Sequence, residues 1–122
     1  MRAVLSKAPG GPETLVVEDV LDPTPKAGEV VIEVKAVGIN YPDTLIIEDK
    51  YQFRPERPFS PGAEVAGVVE AVGEGVKGVA KGDRVIAVPG WGGLVERLAV
   101  RAETVIPIPE AMSFEEAAAL TP

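Results

Sequence analysis

Along "EVVIEVKAVG", from Glu29 to Gly38, apolar residues fall on every second position: Val30, Ile32, Val34 and Ala36 share one face, while Glu33 and Lys35 take the other. A period of two predicts a half-buried strand, because successive side chains on a pleated backbone point to opposite faces. Similar short runs recur at "RAVLSKA" from Arg2, "TLVVEDV" from Thr14, "EVAGVVEAV" from Glu64, "RVIAV" from Arg84, "LVERLAV" from Leu94 and "TVIPIP" from Thr104. Gly and Pro punctuate them. Many short strands divided in this way predict a mainly β chain, folded as a small antiparallel barrel or sandwich.

Two stretches break the alternation. In "NYPDTLIIEDKY", Pro42 stands where a first helical turn can begin, Asn40 is placed to cap it, and Leu45 and Ile46 are compatible with a helix. In "SFEEAAALTP", Ser113 with Glu116 three residues later forms a capping box ahead of an alanine-rich run. The sequence reaches Pro122 soon after that second helix opens. So short a helix gains little stability without something to pack on, so a partner domain is expected beyond it.

The stretch "VGEGVKGVAKGDRV" from Val72 fits GxGxxG letter for letter through Gly73, Gly75 and Gly78. A dinucleotide-binding turn also needs a helix directly after the glycines, so that backbone amides point at a pyrophosphate. Only "VAKGD" separates Gly78 from the next strand-like run. A parallel crossover with its helix takes roughly a dozen residues or more. Gly82 and Asp83 supply a turn instead, and Glu96, at a tempting distance for a ribose contact, follows a second glycine-rich turn, "PGWGG". These glycines therefore predict a loop between antiparallel strands, not a nucleotide site.

A length of 122 residues allows one domain with a real core, and too little chain for a full nucleotide-binding domain besides. Twelve basic residues against 19 acidic ones leave a net charge of −7, which repels phosphate backbones and anionic lipid, so neither nucleic acid nor a membrane is an expected partner. Cysteine and histidine are both absent. Their absence removes disulfides, thiol nucleophiles, imidazole bases and the usual zinc ligand sets, leaving carboxylates, tyrosine, amides or a bound cofactor for any chemistry. No signal peptide or membrane-spanning run is visible, so the expected compartment is the cytoplasm. Twelve prolines with little Met and no Cys also suit a heat-resistant protein.

Four segments then fall in order: "GINYPD" from Gly38, "PFSPGAEVAGVVEAVG" from Pro58, "KGDRV" from Lys81, and "GGLVERLAV" followed by "IPEAMSFEEAAAL". Together they resemble the N-terminal, GroES-like half of the medium-chain dehydrogenase/reductase superfamily, and within it the zinc-independent quinone oxidoreductases related to zeta-crystallin. The resemblance implies a partly open antiparallel GroES-like barrel with short helices over residues 1–122, forming the substrate side of a cleft. It also implies a Rossmann domain as the other wall, NADPH bound mainly there, and a homo-oligomeric parent. The expected reaction is hydride transfer from NADPH to a quinone or other conjugated carbonyl. Reduction of an enoyl thioester or enone stays open as an alternative, and a stand-alone co-chaperonin-like module is the alternative from another class.

Zinc-dependent relatives carry a cysteine at the position of Asn40 and a histidine at that of Ala63, between Gly62 and Glu64. An amide is a poor zinc ligand and alanine is none, so no metal is expected. The resemblance makes Asn40 a contact of substrate and nicotinamide, a role compatible with helix capping. It gives Asp43 the organisation of the cleft or a proton path, against a solvated acid in the first helical turn. Tyr51 is placed near nicotinamide and substrate, where its phenol orients or protonates a carbonyl oxygen, against a residue at a loop edge. Tyr41 is expected only to pack. Glu64 is expected to be structural, paired with a backbone group or with Arg84, and Trp91 to anchor packing at the rim. Arg54 and Arg57 are expected in a solvated loop.

Overall fold

A computed structural model describes residues 1–52 and 54–119. Among them the chain forms seven strands, β1 (Arg2–Leu5), β2 (Val16–Asp19), β3 (Glu29–Gly38), β4 (Glu64–Val72), β5 (Arg84–Ala87), β6 (Arg97–Arg101) and β7 (Ile106–Pro107), with two short helices, α1 (Tyr41–Ile47) and α2 (Phe114–Ala118). Each expected run contributes one strand. The run from Leu94 is the one most displaced, since β6 begins only at Arg97. Leu94 and Val95 instead tie β1 to the main sheet, through a Val4 N–H to Leu94 O bond of 2.9 Å and an Ala3–Val95 bridge.

Five strands form one antiparallel sheet in the order β6-β3-β4-β5-β7, and β1 pairs with β2 separately. A second bridge joins Ser6 to Phe59. The two sheets curl towards each other without closing, which is the partly open barrel expected for this class. Val30, Ile32, Val65, Val69, Val85, Ala87 and Val105 fill its interior.

β3 is not the simple half-buried strand that its alternation predicts. Val30, Val31 and Ile32 are all buried, and the register against β4 shifts between Val31 and Ile32 and again between Val34 and Ala36. Irregularities of this kind bend a strand and turn side chains to new faces, which helps one long strand to serve both halves of a curved sheet. Gly67 on β4 allows that fit: a Cβ there would lie 2.1 Å from the Glu33 carbonyl oxygen.

At the C-terminal end, Ser113 caps α2. Glu116 N–H donates to Ser113 Oγ at 3.0 Å and Ser113 N–H to Glu116 Oε1 at 3.1 Å. Ala117 and Ala118 pack with Ala66 and Ile86. Arg84 fixes the turn before the helix, donating to the carbonyls of Pro109, Glu110 and Met112 at 2.9, 3.0 and 2.7 Å, with its guanidinium over the Phe114 ring.

β4 and β5 are antiparallel neighbours, paired from Val65 with Ala87 to Val68 with Arg84. The glycines of Val72–Val85 therefore lie in a connection between antiparallel strands, as the short spacing requires. Gly75 and Gly78 have φ of +79° and +81° with open space where a Cβ would stand, whereas a Cβ on Gly73 would come 2.1 Å from the Lys26 carbonyl oxygen.

Gly75→Ala is expected to cost about 1 kcal/mol, for its backbone conformation alone. Gly73→Ala should cost clearly more, because backbone must move; urea unfolding midpoints check the order. For α2, the Ser113 backbone amide and then its hydroxyl hold the Glu116 carboxyl below the ordinary value of 4.5. A lowered folded value means that the cap's contribution is present above pH 4.5 and fades as pH falls through the folded value. Thermal melts down an acid series should therefore fall less steeply for Glu116→Gln than for the wild-type chain.

Candidate functional site

The helix α1 starts where β3 ends, and its first turn organises the site. Asn40 takes the cap position in extended conformation, Pro42 lies in the first turn, and Asn40 and Asp43 form a capping box. Asp43 is buried, and both its oxygens accept from backbone: Oδ2 from Asn40 N at 2.8 Å, Oδ1 from Gly62 N at 3.2 Å. One carboxylate thereby joins the start of the helix to the segment before β4. It sits in the first turn as expected, but inside the protein and not in solvent.

That segment is laced to the turn after β5. Gly92 N–H donates to Ser60 O at 2.6 Å, Leu94 N–H to Pro61 O at 2.9 Å, Gly93 N–H to Gly62 O at 3.0 Å and Gly90 N–H to Ala63 O at 3.3 Å. The approach is possible only with glycine at two facing positions. A Cβ on Gly62, where φ is +105°, would lie 3.0 Å from Leu94 N, and one on Gly93 would lie 2.7 Å from Val65 Cγ1. Trp91, 39% exposed, stands at the tip of this laced turn.

Glu64, 3% exposed at the first position of β4, accepts a hydrogen bond from Asn40 Nδ2. Arg84, the cation named for it by sequence, is committed instead to the carbonyls before α2. The Asn40–Glu64 contact joins residues 24 apart in the chain, and nothing in the local pattern of either segment announces it. What results is a half-buried carboxamide with a fixed orientation, bordered by Ile39, which is 57% exposed. Such a group can donate and accept hydrogen bonds without titrating, so it suits positioning more than proton transfer.

Behind α1, Pro12, Leu15, Ile39, Asp43, Thr44 and Leu94 contribute to an apolar hollow of about 190 Å³. A larger one, about 640 Å³, lies between β1 and the second half of β3, with Arg2, Lys35 and Glu96 among its lining; it includes none of Asn40, Asp43, Tyr51 or Glu64.

Tyr51 follows the C-terminal end of α1, half-buried against Ile46, Ile47 and Phe59. Asn40, Asp43 and Glu64 are thus brought into one connected cluster, and Tyr51 belongs to the adjoining apolar one. The Tyr41 side chain lies outside the described part of the structure. Arg54 is exposed as expected, but Arg57 is not a solvated residue: its side chain is 16% exposed and bonded to Asp49 at 2.7 Å.

Both oxygens of Asp43 are taken up by backbone donors, one buried and one part-buried. Asp43→Asn places an NH₂ group against one of the two N–H donors, and the expected cost is about 1–3 kcal/mol. Urea unfolding measures it, with Asp19→Asn on the exposed face of β2 as the reference.

The alcohol dehydrogenase GroES-like domain model matches residues 26–110. The quinone oxidoreductase of Rattus norvegicus is 40% identical over 122 residues, which are 98% of this chain and 37% of that protein. Among solved structures, the Escherichia coli quinone oxidoreductase in complex with NADPH superposes with a TM-score of 0.93 at 35% identity, over 99% of this chain and 37% of that one. The human synaptic vesicle membrane protein VAT-1 homolog-like protein gives a TM-score of 0.94 at 40% identity, over 98% of this chain and 39% of that one. The chain therefore spans less than half the length of the relatives it matches.

Proposed function

The chain belongs to the GroES-like domain family of the alcohol dehydrogenases, within the medium-chain dehydrogenase/reductase superfamily, and from that premise we propose that it is the substrate-side domain of an NADPH-dependent quinone oxidoreductase that works without zinc. The observation that carries the proposal is the Asn40–Glu64 pair. Where zinc-dependent relatives place a cysteine and a histidine, this chain has a carboxamide and an alanine, the former held by the buried Glu64. Neither Asn40, Ala63 nor any thiolate or imidazole of this chain can complete a tetrahedral site, because the chain has no Cys and no His. Quinones suit such a site, since a conjugated dicarbonyl accepts hydride with less Lewis-acid help than an isolated ketone.

NADPH fits this chain at one end only. Its phosphates find no cradle in the Gly73–Gly78 connection, where a turn replaces the required helix. Its nicotinamide end would meet a carboxamide in Asn40 and an apolar neighbour in Ile39. When bound, the cofactor supplies hydride from carbon four of its ring. Asn40 is placed to accept from the ring's amide through Oδ1 or to donate its second Nδ2–H to the substrate oxygen, and Glu64 fixes which way the Asn40 amide faces. Asp43 acts as a positioning residue through Asn40 and Gly62. Ile39 excludes water from the reacting face, and the Tyr51 phenol orients the carbonyl oxygen that receives a proton as the quinone becomes hydroquinone.

In the enzyme that contains this chain, Asn40→Ala is expected to lower turnover about tenfold, the rate equivalent of one lost hydrogen bond. Stability should also fall, by about 1–3 kcal/mol, because the buried Glu64 carboxylate loses a donor, so turnover is compared per folded enzyme; dialysis against a chelator should leave activity intact. Quinone-dependent oxidation of NADPH at 340 nm is the assay. Wild-type kinetics in Asn40→Ala would reduce Asn40 to a cap, and a stoichiometric zinc requirement traced to these residues would end the proposal.

A further inference from the structure

The site helix is anchored at both ends to one short stretch of chain. At the N-terminal end the anchor is Asp43 on Gly62. At the other end it is Arg57, five residues before Gly62 in the same stretch. Arg57 donates through Nη2 to the carbonyl of Ile47, the last residue of α1, at 2.9 Å, and through Nη1 to Asp49 Oδ1 at 2.7 Å. Its Nε reaches Ser6 Oγ at 3.2 Å, and its guanidinium lies over the Phe59 ring at 5.2 Å from the centroid.

Each contact has a reason. The last carbonyls of a helix lack intrahelical partners and sit at its negative end, where a cation is favoured. Asp49, with φ of +58° and its N–H on Ile46 O at 3.1 Å, turns the chain out of the helix, and Arg57 holds that turn by its side chain. Phe59 packs on Ile46 and Ile47, and Ser6 and Phe59 exchange backbone hydrogen bonds of 2.7 and 3.2 Å. One planar guanidinium thus ties together the exit of α1, the end of β1 and the segment that leads to Gly62. A lysine cannot reproduce that fork.

We propose that Arg57 is a positioning residue for the site: by latching the exit of α1 to the 57–62 segment, it fixes the seat of the helix and so the place of the Asn40 amide at its entry. α1 is only seven residues long. A helix of two turns moves as one rigid piece, so slack at its exit tilts its entry. The catalytic part of this inference rests on the quinone oxidoreductase assignment; the geometric part does not.

The test uses the intact protein with Arg57→Lys, backed by Asp49→Asn should the lysine variant fold poorly. The first readout is the side-chain amide resonance of Asn40 in a ¹⁵N-correlated NMR spectrum, assigned by its loss in Asn40→Ala. It is expected to shift in the latch variants and to stay in place in Arg54→Ala, a change on the exposed neighbour. The second readout is quinone turnover per bound NADPH, which a lower folded fraction does not change. It is expected to fall about tenfold, as displacement of a positioned group does. It should fall no further when Arg57→Lys is added to Asn40→Ala, since two groups acting through one contact are not additive.

An unmoved Asn40 resonance in folded latch variants overturns the proposal, and so does a full additional loss in the Asn40→Ala background. If the intact protein does not oxidise NADPH with quinone, the proposed function fails, and if Asn40→Ala keeps wild-type turnover, Asn40 is only a cap; in either case the resonance decides the latch alone, a shift supporting it and no shift overturning it.

Discussion

The arrangement depends first on one buried carboxylate. Asp43 takes the amides of Asn40 and Gly62 at 2.8 and 3.2 Å, and with those two bonds it fixes a helix entry against a strand entry. A carboxylate withdrawn from water needs donors for its charge, and here they are supplied by backbone that would itself be orphaned without it: an amide at the cap, outside the helical ladder, and one at a glycine with positive φ. The side chains attached to those two segments, Asn40 and Glu64, are thereby brought into hydrogen-bonding reach. The site is a consequence of how the chain satisfies its own polar groups.

Close backbone contact extends this from a clasp to a frame. The 60–63 segment lies on the 90–94 turn, and both faces of the contact need glycine, Gly62 because of its φ and its neighbours, Gly93 because of Val65 and the Gly62 carbonyl. Any Cβ there separates the turn that carries Trp91 from the segment that carries Glu64. At the exit of α2 a similar constraint falls on Gly38, whose Cβ would stand 2.5 Å from the Ala118 carbonyl oxygen. The glycines that matter most to the site are therefore buried or half-buried ones at crossings. The three that imitate a nucleotide motif include two that serve only to turn an exposed connection.

Much of the fold was legible because strand formation depends on a local pattern. All seven alternating runs contain a strand, and Pro42 and the Ser113–Glu116 box mark both helices. The family was legible from ordered motifs for the same reason. Bulges were not: the shifts in β3 arise from the match of two strands, and Val31 alone gives no sign that it will be buried. Side-chain partners were the least legible. Glu64 takes Asn40, 24 residues away, and not Arg84; Arg57 looked solvated because its loop is rich in proline and charge, yet it holds the exit of a helix. Each of these two arginines is used where oxygen acceptors converge beside an aromatic ring, Phe114 for Arg84 and Phe59 for Arg57, an environment that only the folded chain creates.

A site built on an amide held by a carboxylate sets its own demands on the surrounding scaffold. A bound metal orients its own ligands and lends them a fixed charge, so the protein can leave some precision to the ion. A carboxamide has no such organiser: it rotates unless its donor end is held, and its two ends are nearly the same shape while differing in hydrogen-bond sense. Glu64 holds the donor end of Asn40 and leaves the opposite end defined as an acceptor. Orientation then has to come from the protein, through the buried Glu64, the Asp43 clasp, the paired glycines and the Arg57 latch. A carboxamide is in this sense dependent on the rigidity of its frame, and many bonds converge here on one seven-residue helix and the six-residue stretch beside it.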